Sequence, residues 1–416
     1  MGARLLCTTL LVLLVSCTSE GNGGVEFDDA VAGADEVAET HGGVTPPYFD
    51  WCQPDSPPDS DCHAEKRAPD SANTGLASSI AQAQIARQSA KELAWNWEEA
   101  VLLLAMLELY AVTADPVLLE YSQAYMDHHI SQGYQIGTSD NCVPAAVAVE
   151  LYRHTGEEKY ALVVQGALAY LYDEAKRTEE GGISHLGTVN IVTLWLDSLF
   201  MFGNVLMRHG ENQDDATALD LFGAQFAIFS QLLQNPSGFY VHAYNWIVEQ
   251  TPNVYWARGN GWVAAAGAMY LRIRANRGET DPAAAMALGK LLTAAVATQD
   301  DDTGLWWSIL NKPGIIYVET SASALFAFGL ARAWRYGLVG DEALATLAEA
   351  MQGIEGQIVE GDDGMPVVTG ISGPTNADKF EQYALVPLEE DLPFGVGAVI
   401  LALVETSGLP LAGESR

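Results

Sequence analysis

The sequence predicts an all-α protein, an (α/α)6 toroid in which six helical hairpins close into a ring. From Ala77 onward apolar residues recur at helical spacing. In Glu98 to Val112, for example, Val101, Leu102, Ala105, Leu109 and Val112 follow steps of three and four. No comparable run alternates with the period of two that marks a half-buried strand. Leu107-Glu108-Leu109-Tyr110 followed by Thr113 recurs 42 positions later as Val149-Glu150-Leu151-Tyr152 followed by Thr155, about the length of one helical hairpin.

Taken in order, the spacing places helices near 77–93, 97–112, 116–131, 142–154, 157–176, 191–209, 215–234, 260–276, 282–299, 319–336, 341–354 and 395–406. Twelve helices make six hairpins, and ring closure removes the exposed ends that an open array must cap. Inner helices would then aim their N-termini, and the loops before them, at one mouth of a central funnel, where a pocket is expected. The alternative is an open α-solenoid with a concave face for a protein partner. The aromatic-rich, non-periodic stretch from Gly238 to Trp262 favours closure, because it reads as pocket-building loops.

Three segments are expected: a lipoprotein signal peptide at 1–17, a tether at 18–75 and one domain at 76–416. Arg4 precedes an apolar run from Leu5 to Val15 that is too short to span a membrane. The run ends in Leu14-Val15-Ser16-Cys17, a pattern similar to the bacterial lipobox, with Cys17 as the acylated residue. An ordinary secretory cleavage that leaves Cys17 unmodified is the other reading, and both imply export to the periplasm or cell surface, the first with a membrane anchor. The tether is rich in Gly, Pro, Ser and acidic residues and lacks the apolar periodicity to fold alone. Within it Cys52 and Cys62 flank a Pro/Asp/Ser segment, a pair that could close a disulfide loop in an oxidising compartment. Cys142, among apolar residues, reads as a buried thiol rather than a nucleophile.

Twenty Lys and Arg stand against 54 Asp and Glu, a formal charge of −34, which argues against binding nucleic acid through its phosphates. An anionic ligand would need a locally basic pocket. His128 and His129 point different ways on a helix and read as surface residues, and no metal-ligand spacing appears elsewhere. No phosphate-binding glycine loop or nucleophile elbow is present, so no cofactor is expected.

The densest chemical signal is Trp256-Ala257-Arg258-Gly259-Asn260-Gly261-Trp262, ahead of a helix expected from about residue 260. Trp256 and Trp262 offer faces for a sugar ring, Arg258 a forked cation for a carboxylate, and the glycines close backbone approach. Core packing of both indoles is the competing reading. Asp197 lies in Leu194-Trp195-Leu196-Asp197-Ser198-Leu199, an apolar stretch expected to be helical, where burial would raise its pKa as a general acid requires. A structural aspartate bonded to the backbone or Ser198 is equally open. Asp140, in Gly137-Thr138-Ser139-Asp140-Asn141, by itself reads as a helix N-cap. His242, in Gly238-Phe239-Tyr240-Val241-His242, could donate to a hydroxyl or carboxylate, although a lone His is more often structural.

Together these blocks resemble the unsaturated glucuronyl and rhamnogalacturonyl hydrolases, glycoside hydrolase families 88 and 105, over roughly Ala77 to Leu409. Besides those quoted, Trp97-Glu98, Tyr152-Arg153-His154-Thr155-Gly156, Gly304-Leu305-Trp306-Trp307, Glu319-Thr320-Ser321-Ala322 and Gly395-Val396-Gly397 occur in family order. The resemblance implies a glycosidase that removes a 4,5-unsaturated uronic acid from the nonreducing end of acidic oligosaccharides by hydrating the ring double bond. By that analogy Asp197 protonates C4, Asp140 assists water, and His242, Arg258, Trp262, Trp256, Trp195 and Trp97 bind the sugar. The segment from His185 to Thr193 lacks the lysine and tyrosine that many relatives carry there. A non-catalytic, surface-tethered carbohydrate-binding toroid is the competing class. Another α/α-toroid glycosidase or epimerase would need a paired acidic motif or histidine pair that the sequence does not display.

Overall fold

A computed structural model describes residues 71–411, so the expectations for Cys17, Cys52 and Cys62 lie outside the described residues. The helices in chain order are α1 (Ser71–Arg87), α2 (Trp97–Thr113), α3 (Pro116–Gln132), the one-turn α4 (Ser139–Cys142), α5 (Pro144–Thr155), α6 (Glu158–Ala169) and α7 (Ser198–Asn212). They continue with α8 (Ala216–Leu233), α9 (Ala257–Asn276), α10 (Pro282–Val296), α11 (Thr320–Arg335), α12 (Glu342–Glu355), the short α13 (Phe380–Tyr383) and α14 (Pro393–Thr406). Local chemistry sets many of these starts. Asp115, Asp215 and Asp281 accept backbone N–H bonds at the first turns of α3, α8 and α10, and prolines open α3 and α10.

Helices α2, α5, α7, α9, α11 and α14 form the inner ring, each packing on the next, with α14 returning onto α2. Outside, α3, α6, α8, α10 and α12 each cover the inner helix they follow, and α1 covers α14. The sixth hairpin is thus assembled from the two ends of the domain, and the ring is closed rather than an open solenoid. The seam needs a close approach: a Cβ at Gly397 of α14 would lie 2.8 Å from the Val101 carbonyl oxygen of α2. Helix α8 is apolar and long enough to cross a membrane by composition, yet it packs as an outer helix on α7.

Several boundaries differ from the sequence expectation, among them the helix expected over 157–176, which stops at Ala169 before a separate turn at Tyr170–Glu174. The first helix starts at Ser71 and stops at Arg87, because Ser89 and Glu92 form a capping box around a separate 3-10 turn. The helix expected from 191 starts at Ser198, since Leu194–Trp195 (β1) pairs antiparallel with Ala243–Tyr244 (β2). Helix α9 begins at Ala257, which takes Arg258 and Trp262 into its first two turns. Three further short ladders join Trp306–Trp307 (β3) to Val318–Glu319 (β4), Ile358–Glu360 (β5) to Pro366–Val368 (β6), and Ile371–Ser372 (β7) to Leu388–Glu389 (β8).

The two ends of the inner barrel are chemically distinct. Near their C-termini the six inner helices contribute Glu108, Glu150, Arg208, Arg272, Arg332 and Glu405. Arg208 bridges Glu108 at 2.6 Å and Glu150 at 3.0 Å, and Arg332 meets Glu405 at 2.5 Å. Arg208 holds the Glu108 carboxyl at about 2, well below the usual range, against the cost of burial. This paired charge closes the floor, and the funnel opens at the N-terminal end.

Candidate active site

Every inner helix delivers a side chain to that mouth: Glu98 from α2, Asp140 from α4 just before α5, Asp197 beside the start of α7, Arg258 from α9, Glu319 beside α11 and Phe394 from α14. The Asp140 side chain keeps 33% of its exposure, open to the funnel. It is not the N-cap. Thr138 caps α4, accepting from Asn141 N–H while the Asn141 side chain reaches back, which leaves the Asp140 carboxylate free of local duty. Asp197 directly precedes α7 rather than lying within it, and its Oδ1 is buried without a hydrogen-bond partner among the described residues. It does not bond Ser198, whose hydroxyl instead meets His185 Nδ1 at 3.0 Å.

His185 stands with the two carboxylates. Its Nε2 is 3.8 Å from Asp140 Oδ2, and burial lowers its pKa while the neighbouring Asp197 raises it. Burial pushes Asp140 up to about 7 and Asp197 up to about 6, the latter also raised by Asp140 and lowered by His185 and Arg258. The pair therefore behaves as one coupled acid that retains a proton into the near-neutral range. Glu98 is likewise pushed up to about 7, by burial first and then by Glu99.

A chain of rings lines one wall. Trp195 stacks on His185 (4.5 Å between centroids) and meets His242 (5.1 Å) and Trp246 (4.9 Å) edge-on. His242 stacks on Trp256 at 4.3 Å, and Arg258 lies over Trp256 at 4.8 Å and Phe394 at 4.7 Å. Burial, followed by the Arg258 charge, holds His242 well below its usual pKa, so the ring is neutral. Four buried nitrogens on this wall have no partner among the described residues: Trp195 Nε1, Trp246 Nε1, His242 Nε2 and Arg258 Nε.

Several expectations are corrected. Both terminal nitrogens of Arg258 are committed to the protein. Nη1 donates to the Ser372 carbonyl and hydroxyl at 2.7 and 2.6 Å, and Nη2 to the Gly373 carbonyl at 2.8 Å and Thr375 at 3.1 Å. Only Nε remains, so the fork holds the 372–375 strap rather than a ligand. Trp262, one turn further along α9 than Arg258, is 1% exposed and packs against Phe200 at 4.5 Å. Trp256 is buried between His242 and Arg258, with no face free for a sugar. Gly259 serves packing: a Cβ there would lie 2.6 Å from the Trp256 ring and 2.8 Å from Leu196. Trp97 sits at the mouth against Phe394 at 4.7 Å. Cys142 is buried as expected. His129 is not a surface residue; it bonds the Leu93 carbonyl at 2.9 Å and packs on Trp95 and Tyr125.

Glu98, His185, Trp246 and Tyr383 carry no assignment from the sequence. Tyr383 OH lies 2.7 Å from His242 Nδ1 across 141 positions, a distance in sequence that no local pattern reveals. His185 sits in a segment without periodicity. Glu98 could be found only by noting that an acidic residue opens the first inner helix.

Coupled carboxyls at the mouth of a closed helical funnel, next to a wall of N–H donors, define a carbohydrate-active α/α toroid of the glycosidase class. The chain belongs to Glycosyl Hydrolase Family 88, which matches residues 76–409, and is a glycoside hydrolase. Two curated relatives, Protein Atu3128 of Agrobacterium fabrum and the 24.9 kDa protein in picA locus of Rhizobium radiobacter, are each 30% identical over 207 residues, 44% of this chain and 88% of theirs. The fold is shared with a family 105 glycoside hydrolase from C. acetobutylicum (TM-score 0.72, 23% identity, 79% of this chain and 98% of that one). It is shared too with a family 88 glycosyl hydrolase from Bacteroides vulgatus (TM-score 0.67, 18% identity, 80% and 97%). An unsaturated glucuronyl hydrolase from a Bacillus species, described as responsible for the degradation of glycosaminoglycan, has the same fold (TM-score 0.63, 16% identity, 80% and 95%).

Proposed function

We propose that this hydrolase removes a 4,5-unsaturated uronic acid from the nonreducing end of lyase-generated acidic oligosaccharides by hydrating the double bond. The observation that carries the reading is the Asp140–Asp197 pair, which retains a proton near neutral pH beside His185 and faces buried, unpartnered N–H groups. From the arrangement in which the shared proton sits on Asp197, Asp197 gives it to C4 of the vinyl ether. Water adds at C5 and loses a proton to the Asp140 carboxylate, and the hemiketal opens to release the rest of the oligosaccharide with a free hydroxyl. His242 Nε2, Arg258 Nε and the indole N–H of Trp195 bind the uronate as donors.

An acidic funnel can admit an acidic sugar because Glu98 and the aspartate pair are partly protonated near neutral pH. Next to Asp140 a groove of about 610 Å³, lined by Trp95, Gln132, Gly133, Tyr134, Gln135 and Asn141, carries no charged side chain and suits a neutral sugar as the next residue. A purely binding toroid has no need of a buried acid within reach of the Arg258 charge, which disfavours that class. The leader ending at Cys17 supports an exported, lipid-anchored enzyme. The test is turnover in deuterium oxide: the product should carry deuterium at C4, and Asp197→Asn should lose on the order of 10²-fold in kcat. Product without label at C4, or wild-type turnover by Asp197→Asn, removes the mechanism.

A further inference from the structure

We propose that Tyr383, on the strap that follows β7, is a positioning residue that fixes the tautomer of His242 and makes its Nε2 a hydrogen-bond donor toward substrate. The proposal rests on the uronate-binding reading of this wall. His242 is 1% exposed and Tyr383 3%, so the bond between them is shielded from bulk solvent, and Tyr383 also lines a cavity of about 160 Å³ with Asp378. The imidazole is neutral and carries one N–H.

Two arrangements fit the 2.7 Å contact between Nδ1 and the phenol oxygen. In one, Nδ1–H donates to the phenol, whose own proton then needs a second acceptor. Among the described residues none reaches it. In the other, the phenol donates to Nδ1 and needs no further acceptor. Only the second arrangement leaves no buried hydroxyl proton unpaired, a difference that biases the tautomers roughly five- to a hundredfold. It places the histidine proton on Nε2, the atom that has no partner in the protein.

The consequence reaches the whole wall. With Nε2–H, His242 joins Trp195 Nε1, Trp246 Nε1 and Arg258 Nε in a set made entirely of donors, which suits a carboxylate. With a bare Nε2 the set would contain one acceptor, which repels an anion. Tyr383 is anchored near the site by strap contacts: Phe380 N–H donates to Thr251 Oγ1 at 2.9 Å, and Ala377 packs with Trp195 and Ala243.

Nuclear magnetic resonance of the full-length enzyme with isotope-labelled histidine nitrogens reads the tautomer without substrate, and His242→Gln identifies the signal. The wild type should show a protonated Nε2 and a bare Nδ1. Tyr383→Phe should populate the Nδ1–H form and raise KM about two- to fivefold, in proportion to the lost competent fraction, with kcat less affected. In the His242→Gln background, where an amide donor replaces the ring, Tyr383→Phe should change KM no further. A protonated Nδ1 in the wild type, an unmixed tautomer in Tyr383→Phe, or an equal KM effect in the glutamine background would overturn the assignment. Failure to turn over any unsaturated uronide would refute the substrate reading and leave the tautomer result to stand or fall by itself.

Discussion

Replacing Arg258 by lysine retains the charge and removes the fork, and the structure locates the cost. Four donor contacts at 2.6 to 3.1 Å join α9 to Ser372, Gly373 and Thr375, while Glu319 lies 3.8 Å from Nη1. A lysine nitrogen can serve one or two of these acceptors. Leaving the others buried, at about 1–3 kcal/mol each, gives a loss of about 3–5 kcal/mol. Glu319 keeps its own donors in Ser321, Ala322 and Ser372, so its burial adds little. In a domain of this size that loss lowers the thermal midpoint by roughly 4–10 °C. Differential scanning calorimetry of wild type and Arg258→Lys at one pH measures it. A variant that melts with the wild type would show that the fork does not hold the strap, contrary to the contacts described.

Glu98→Gln should stabilise the enzyme above neutral pH. The folded carboxyl titrates near 7, above its unfolded value near 4.5, so native Glu98 costs stability progressively as pH rises through that window. After allowance for its partial exposure the gain is about 1–2 kcal/mol at pH 8, vanishing below about pH 4.5, and urea unfolding at the two pH values tests it. The same ionisation predicts that uronide kcat/KM falls as pH rises above about 7, and less steeply in Glu98→Gln. On the barrel floor, Arg208→Leu removes the bridges to Glu108 and Glu150 but leaves Glu150 with Arg153 at 2.8 Å and Asn212, so it should cost about 1–3 kcal/mol, read by urea denaturation near pH 7. The depressed Glu108 carboxyl contributes stability above about pH 4.5 that is lost as pH falls toward 2, so acid unfolding of that variant should be less steep.

The ring was legible because its outer helices bury one face each while inner helices such as α9, α11 and α14 are apolar nearly all round, and a 42-residue repeat matches the length of a hairpin. What periodicity could not show is that α1, from the start of the domain, completes the hairpin of α14 at its end. Asp197 is readable from its setting, an acid in an apolar stretch, whereas Asp140 by itself reads as a helix cap and gains its part in the chemistry only through the family resemblance. Trp262, spaced by four from Arg258, shares its face of α9, as the helical spacing of the motif implies. Arg258 looked free because its acceptors, Ser372 to Thr375, come more than a hundred residues later. His185 and Tyr383 act through rings and bonds that only the closed funnel brings together.

The central claim is tested most directly by incubating the enzyme with oligosaccharides generated by polysaccharide lyases from pectin, ulvan and glycosaminoglycans, while following the ultraviolet absorbance of the unsaturated uronate. Asp197→Asn serves as the control. The account predicts that absorbance is lost with at least one digest, that free uronate product appears in equal amount, and that Asp197→Asn leaves the absorbance intact. Undiminished absorbance across all three digests with folded wild-type enzyme, or equal loss with Asp197→Asn, would contradict it.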